Sequence, residues 1–307
     1  MITHIKDPDS DKIIVFIHGL GGSKFTWYNF TNYFNKKWSG NYGFLLKYFP
    51  YYRIFINKEF LTRKFKKQWI SKLINTIFLP FEKLYFLIKI LWSKRNTHNV
   101  ELLDNYITKN CKESRNVIIV AHSMGGLIAR QFLINCKKSQ IDIKKYRMLI
   151  TYATPHKGSN IADKVTIKRI KIVSYLYTKF SIYFNYRISP QIGDLASLNE
   201  FIQDIEADWS RYNVGIGLNF IRVVAKNDFL VKPESAMQND KEIEFIKEFE
   251  YDHGGIINPM NTEVAFEPIN YFIEKLNMLE YKDEIYEELI PEIDYDNFED
   301  SENIETY

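Results

Sequence analysis

The sequence predicts an α/β fold, a doubly wound and mostly parallel sheet, and three observations predict it. Short uninterrupted runs of β-branched residues recur along the chain, as in strands buried on both faces of a parallel sheet. Segments with helical apolar spacing alternate with these runs, the order that βαβ units require. The runs end in loops that carry His18 and Gly19, Ser123, His156 and Asp228. Open α/β sheets gather their chemistry at the C-terminal ends of their strands.

The first run, 12–17, enters a glycine-rich loop over 18–23. Residues 53–56 predict a second, weaker strand. The run 116–121 is the strongest. It leads directly into His122, Ser123, Met124, Gly125 and Gly126, and helical spacing follows over 127–136. Residues 147–152 predict another buried strand, ending in the loop 153–159. The run 220–225 stops at Lys226, Asn227 and Asp228, and 263–279 has the spacing of a closing helix.

At 307 residues, with 46% hydrophobic and 26% charged residues, the chain has the balance of a globular protein with a core. That excludes a disordered chain, and two cysteines, Cys111 and Cys136, exclude a disulfide framework. The net charge of +3 is a sum of unlike parts. Residues 58–95 hold ten basic and two acidic residues, and 164–187 hold six basic and none acidic. Residues 280–307 hold twelve acidic residues against Lys282 alone, which leaves 24 of each sign elsewhere. Both basic stretches are rich in aromatics, Trp69 and Trp92 in one, Tyr175 and Tyr186 in the other. They interrupt the alternation and read as cap or lid insertions in a single domain over 1–279. Residues 280–307 read as an acidic, flexible tail.

The first residues lack the basic-then-apolar pattern of a signal peptide. No run of about 18 uncharged apolar residues exists to span a bilayer. A cytoplasmic protein is expected. Its basic aromatic insertions are expected to make peripheral contact with an anionic membrane, or else to pack their aromatics on the core. No nucleic-acid motif is present and no nucleic-acid partner is expected. No His, Cys and Asp cluster has metal-ligand spacing, so no metal is expected.

Ala121, His122, Ser123, Met124 and Gly125 follow the nucleophile-elbow pattern G-x-S-x-G with alanine in first place. The turn is so sharp that the positions two before and two after the serine crowd the neighbouring strand and helix, and both must be small. A serine hydroxyl is a weak nucleophile and needs a base that a third group orients. In this pattern the chain order is serine, then acid, then histidine. Asp228 follows a strand, where the acid belongs, with Glu234 and Asp252 as alternatives. His253 follows it and is the only histidine after His156. Catalytic residues Ser123, Asp228 and His253 are therefore expected. The oxyanion hole would be the N–H groups of Leu20, in the first glycine-rich loop, and Met124, at the start of the next helix. His18, Gly19, His122 and His156 are the candidate substrate-side residues. Of these, His18 and His122 are expected to orient their loops and His156 to wall the site.

On these residues the sequence resembles the α/β-hydrolase superfamily. Within it, the chain is similar to the lipase-like serine esterases of the inositol-deacylase-like group. The resemblance rests on Phe16 through Ser23, Val120 through Leu127, Thr151 through Ser159, Asp228 with Val231 and Pro233, and Asp252 with His253. It covers roughly 12–57, 100–160 and 190–275. It implies hydrolysis of a carboxylic ester, of a lipid or acyl substrate, through an acyl-serine and without a cofactor. The same triad would serve a thioesterase, an amidase or an acyltransferase, and a non-catalytic interaction module on this fold is the reading from another class.

Overall fold

A computed structural model describes residues 12–20, 22, 26–38, 43–47, 96–112, 114–159, 194–237, 246–259 and 266–289. Six parallel strands form one sheet in the order β2-β1-β3-β4-β5-β6: β1 Lys12–Ile17, β2 Gly43–Lys47, β3 Asn116–His122, β4 Tyr146–Tyr152, β5 Asn219–Ala225 and β6 Ile246–Phe249. The order reverses at β1, where the chain leaves for the β2 edge and returns to β3 on the other side. The described helices are α1 Tyr28–Lys37, α2 Asn96–Asn110, α3 Met124–Lys138, α4 Glu200–Arg211, α5 Pro233–Met237 and α6 Glu267–Leu289.

The β-branched runs form central strands because both of their faces find a cover. Side chains alternate along a strand. Ile13, Val15 and Ile17 of β1, with Val117, Ile119 and Ala121 of β3, pack into one apolar layer with Val100, Leu103 and Ile107 of α2, Leu127 and Phe132 of α3, and Ile205 and Trp209 of α4. Ile14, Phe16, Ile118 and Val120 face the opposite layer with Phe30 and Phe34 of α1 and Ile269, Phe272 and Leu276 of α6. Phe30 and Phe272 are fully buried against each other. Truncating either to alanine is expected to cost about 3–5 kcal/mol.

The strands expected at 12–17, 116–121, 147–152 and 220–225 form within one residue of those bounds. The helix expected at 127–136 begins earlier, at Met124, directly after Ser123. The closing helix starts at Glu267 and runs to Leu289, past the boundary drawn at 279. The strand expected at 53–56 and the insertions at 58–95 and 164–187 lie outside the described residues, as does 290–307. The second strand of the described sheet is instead Gly43–Lys47, a five-residue run in register with Ile13 through Ile17.

Candidate active site

Strand β3 ends at His122, and α3 starts one residue later at Met124. Ser123 spans the gap with φ 55° and ψ −132°. A non-glycine residue rarely enters that region, and holding it there costs on the order of 1–3 kcal/mol. The neighbours explain how the strain is held. The Ser123 N–H donates to the Tyr152 carbonyl at 2.9 Å, and its own carbonyl accepts from Gly126 N–H at 3.0 Å. A Cβ on Gly125 would lie 2.8 Å from the carbonyl oxygens of both Ile17 and His18, so this helix turn sits hard against the end of β1. A Cβ on Gly126 would lie 2.2 Å from Thr154 Oγ1. These two contacts are why the elbow requires glycine after its serine.

The other two groups arrive from the ends of β5 and β6. Asp228 lies three residues past β5, and its Oδ1 accepts from the N–H groups of Leu230 at 2.8 Å and Val231 at 2.9 Å. That backbone cradle orients the carboxylate so that Oδ2 lies 2.6 Å from His253 Nδ1. A carboxylate can only accept, so Nδ1 carries the proton and Nε2 is left as an acceptor. Ser123 Oγ lies 2.9 Å from that Nε2. The Asp228 side chain is 1% exposed, and His253 retains 16%. The loops beneath are joined as well, since Asn227 N–H donates to the Tyr251 carbonyl at 3.1 Å. Asp252 is not in the acid's place. Its Oδ1 accepts from Gly254 N–H at 3.2 Å and Gly255 N–H at 2.6 Å, which caps the 3₁₀ turn Gly255–Ile257. Glu234 lies in α5.

Gly19 lies against the serine, where a Cβ would come within 2.6 Å of Ser123 Cβ. This brings the β1 loop, with the partly buried Leu20, to the same side as the start of α3. The rings of His18, His122 and His156 are turned into the protein. His18 is 1% exposed, and its Nδ1 donates to the Gly19 carbonyl at 2.7 Å. His122 is buried, and its Nε2 donates to the His253 carbonyl at 2.7 Å. Burial, with His253 beside it, pushes the His122 imidazole down to about 3.

His156 is 1% exposed and belongs to a separate polar chain. Arg130 Nη1 lies 3.3 Å from its Nδ1, and Thr151 Oγ1 lies 3.2 Å from its Nε2. A guanidinium only donates, so Nδ1 accepts, Nε2–H donates to Thr151, and Thr151 donates to the Ile221 carbonyl at 3.3 Å. Burial and the nearby Arg130 and Arg222 hold the His156 imidazole well below its usual range. His156 also borders a cleft of about 440 Å³ with Lys157, Ser197, Gln203, Glu206 and Ser210. The chemistry of its neighbours makes it a fixed neutral strut. Sequence reasoning missed Arg130 and Thr151. Arg130 lies on a helix read only for its apolar spacing, and nothing local marks it as His156's partner.

A parallel sheet covered on both faces, with a strand–serine–helix elbow at its C-terminal edge, defines the α/β-hydrolase class. The chain belongs to the lipase-like esterases of that class: the family described as PGAP1-like alpha/beta domain matches residues 9–181, and the lecithin:cholesterol acyltransferase family matches residues 100–295. The chain is 37% identical over 91 residues to triacylglycerol lipase 2 of Saccharomyces cerevisiae, a match spanning 25% of this chain and 26% of that protein. Among solved structures, a lipase-esterase related protein from Clostridium acetobutylicum superposes with TM-score 0.51 and 14% identity over 89% of this chain and 98% of its own. A mature lipase of Bacillus licheniformis does so with TM-score 0.50 and 16% identity, over 88% and 97%. At those identities the likeness is one of fold. Among the described residues no helix is long and apolar enough to cross a membrane.

Proposed function

We propose that the chain is a serine hydrolase that cleaves a carboxylic ester through an acyl-serine intermediate, with Ser123 as nucleophile, His253 as general base and acid, and Asp228 as the group that orients it. The observation that carries this reading is the unbroken hydrogen-bond chain from Asp228 Oδ2 through His253 to Ser123 Oγ. Ser123 Oγ attacks the ester carbonyl carbon and its proton passes to His253 Nε2. The carbonyl oxygen, now negative, takes the N–H groups of Leu20 and Met124. The tetrahedral species collapses, the C–O bond breaks, and His253 returns the proton to the leaving alkoxide. Water then repeats the sequence on the acyl-serine, with His253 taking its proton, and releases the acid. Asp228 stays ionised throughout and holds the imidazole in one tautomer.

A lipid or acyl substrate is favoured by exposed apolar side chains on the acid's loop and a loop joined to it. Phe229, beside Asp228, is 88% exposed, Leu230 is 43% exposed and Leu198 is 86% exposed. Their loops are joined, since Ser159 N–H donates to the Leu195 carbonyl and Ser159 Oγ to the Leu230 carbonyl, both at 2.8 Å. The named activity of the yeast relative, a triacylglycerol lipase, points the same way. Peripheral contact with an anionic membrane through the basic stretches 58–95 and 164–187 belongs to the same proposal. The test is hydrolysis of an ester panel of increasing acyl length, with and without anionic phospholipid vesicles. Turnover that rises with chain length and vanishes in Ser123→Ala supports the reading. An inert wild type overturns it.

A second reading, acyl transfer to an alcohol in place of water, is favoured by the match of 100–295 to the lecithin:cholesterol acyltransferase family. It uses the same acyl-serine, and adding a primary or sterol alcohol to the ester assay would yield a new ester rather than the free acid.

A further inference from the structure

We infer that His122 is a positioning residue: its Nε2–H fixes the backbone of His253, so that the residue next to the nucleophile also sets where the base stands. The inference rests on the hydrolase reading above and adds a residue to it.

The loop that carries the base is weakly specified by its own sequence. His253 is followed by Gly254 and Gly255, and a Cβ on Gly254 would meet nothing within 4 Å. Glycine pairs leave a backbone many conformations, so the loop must be fixed by bonds from outside. On its N-terminal side the loop is joined to the acid's loop through Asn227 N–H and the Tyr251 carbonyl. On its C-terminal side Asp252 closes the turn from within. At the base itself His122 Nε2 ties the His253 carbonyl, 2.7 Å across 131 residues of sequence.

His122 suits this task because it has little freedom of its own. It is the last residue of β3 and 7% exposed, Trp27 meets its ring edge-on at 6.4 Å, and the His253 ring lies 4.8 Å away at 49°. A carbonyl only accepts, so the bond requires the proton on Nε2. With the imidazole pushed down to about 3, the ring stays a neutral donor while His253 gains and loses protons beside it. The consequence is a rigid triangle. Ser123 is held at the end of β3 by its backbone bonds, and His253 is held through its carbonyl by the adjacent residue, His122. The 2.9 Å contact between Ser123 Oγ and His253 Nε2 is then set by β3 rather than by the glycine loop.

Three variants test this. His122→Phe and His122→Leu remove the donor, while His122→Gln keeps an amide N–H the same number of bonds from Cβ. The expectation for Phe and Leu is a fall in kcat of about 10–100-fold, the scale of a misplaced catalytic group, with KM within about twofold of wild type. Gln should recover most of the loss. Independently of activity, amide hydrogen exchange over 251–257 should quicken in Phe and Leu, remain near wild type in Gln, and be unchanged in the sheet. Wild-type kcat and exchange in the donor-free variants would overturn the role, and so would a Gln variant as impaired as Phe. If wild type hydrolyses no ester, the hydrolase reading fails, and the exchange comparison still decides whether His122 clamps the loop.

Discussion

Two histidines at the C-terminal edge of the sheet have both ring nitrogens engaged, yet their neighbours give them opposite capacities. His253 Nδ1 meets a carboxylate and its Nε2 meets a hydroxyl, with 16% of the side chain open. His156 Nδ1 meets the guanidinium of Arg130 and its Nε2 meets Thr151, with 1% open. The carboxylate fixes the proton on Nδ1 and leaves Nε2 as an acceptor, whereas the guanidinium occupies the Nδ1 lone pair and opposes the imidazolium. The same side chain is thus placed to exchange a proton in one place and held as a fixed strut in the other, and burial together with the partner on Nδ1 makes the difference.

The largest expected effects break the first region. Ser123→Ala or His253→Ala should lower kcat by at least about 10³-fold with little change in melting temperature, read by ester turnover beside a thermal melt. Asp228→Asn keeps the shape but permits the wrong His253 tautomer, and should lower kcat by about 10³–10⁴-fold. Equivalent changes in the second region should reverse the pattern. Arg130→Met leaves His156 Nδ1 without its donor and should cost about 1–3 kcal/mol of stability in urea unfolding, with kcat per folded molecule close to wild type. A large kcat loss there without destabilisation would erase the distinction between the two histidines.

Gly126→Ala forces a Cβ to 2.2 Å from Thr154 Oγ1, between the elbow helix and the His156 loop. It should destabilise by about 1–3 kcal/mol, measured by the same unfolding series.

The most gradual effect is in the pH dependence of stability. His122 and His156 are both held below their usual range, by burial first and by neighbouring His253 and His18, or Arg130 and Arg222, second. Each therefore binds fewer protons folded than unfolded once the pH falls below the unfolded value of about 6.5. Stability is full above that pH and declines below it, by up to about 1.4 kcal/mol per pH unit for each histidine. For His122 the decline continues to about pH 3. His156→Gln should flatten the slope between about pH 6.5 and 4.5 by roughly the share of one histidine. An unchanged slope would mean that His156 is not neutral when folded.

The central strands were legible because each is buried on both faces and so is written as an unbroken run, as in the residues of β3. The triad candidates were legible because the fold imposes a chain order, and after Asp228 only one histidine remains. What escaped notice had weak local marks. Helix α1 is signalled only by Phe30, Tyr33 and Phe34, and α4 by the Asn199 side chain that accepts from Phe201 N–H at 2.9 Å. Strand β2 is five residues long. The hydrogen-bond partners of His18, His122 and His156 could not be read. Each ring's direction depends on a partner, and for His122 that partner is 131 residues away.

The most direct measurement is mass spectrometry of the protein after reaction with a fluorophosphonate, which phosphonylates a serine only when a neighbouring base activates it. A single adduct on the peptide bearing Ser123, lost in Ser123→Ala and strongly slowed in His253→Ala, is the predicted result. An unlabelled wild type, or labelling that persists in Ser123→Ala, would contradict the account.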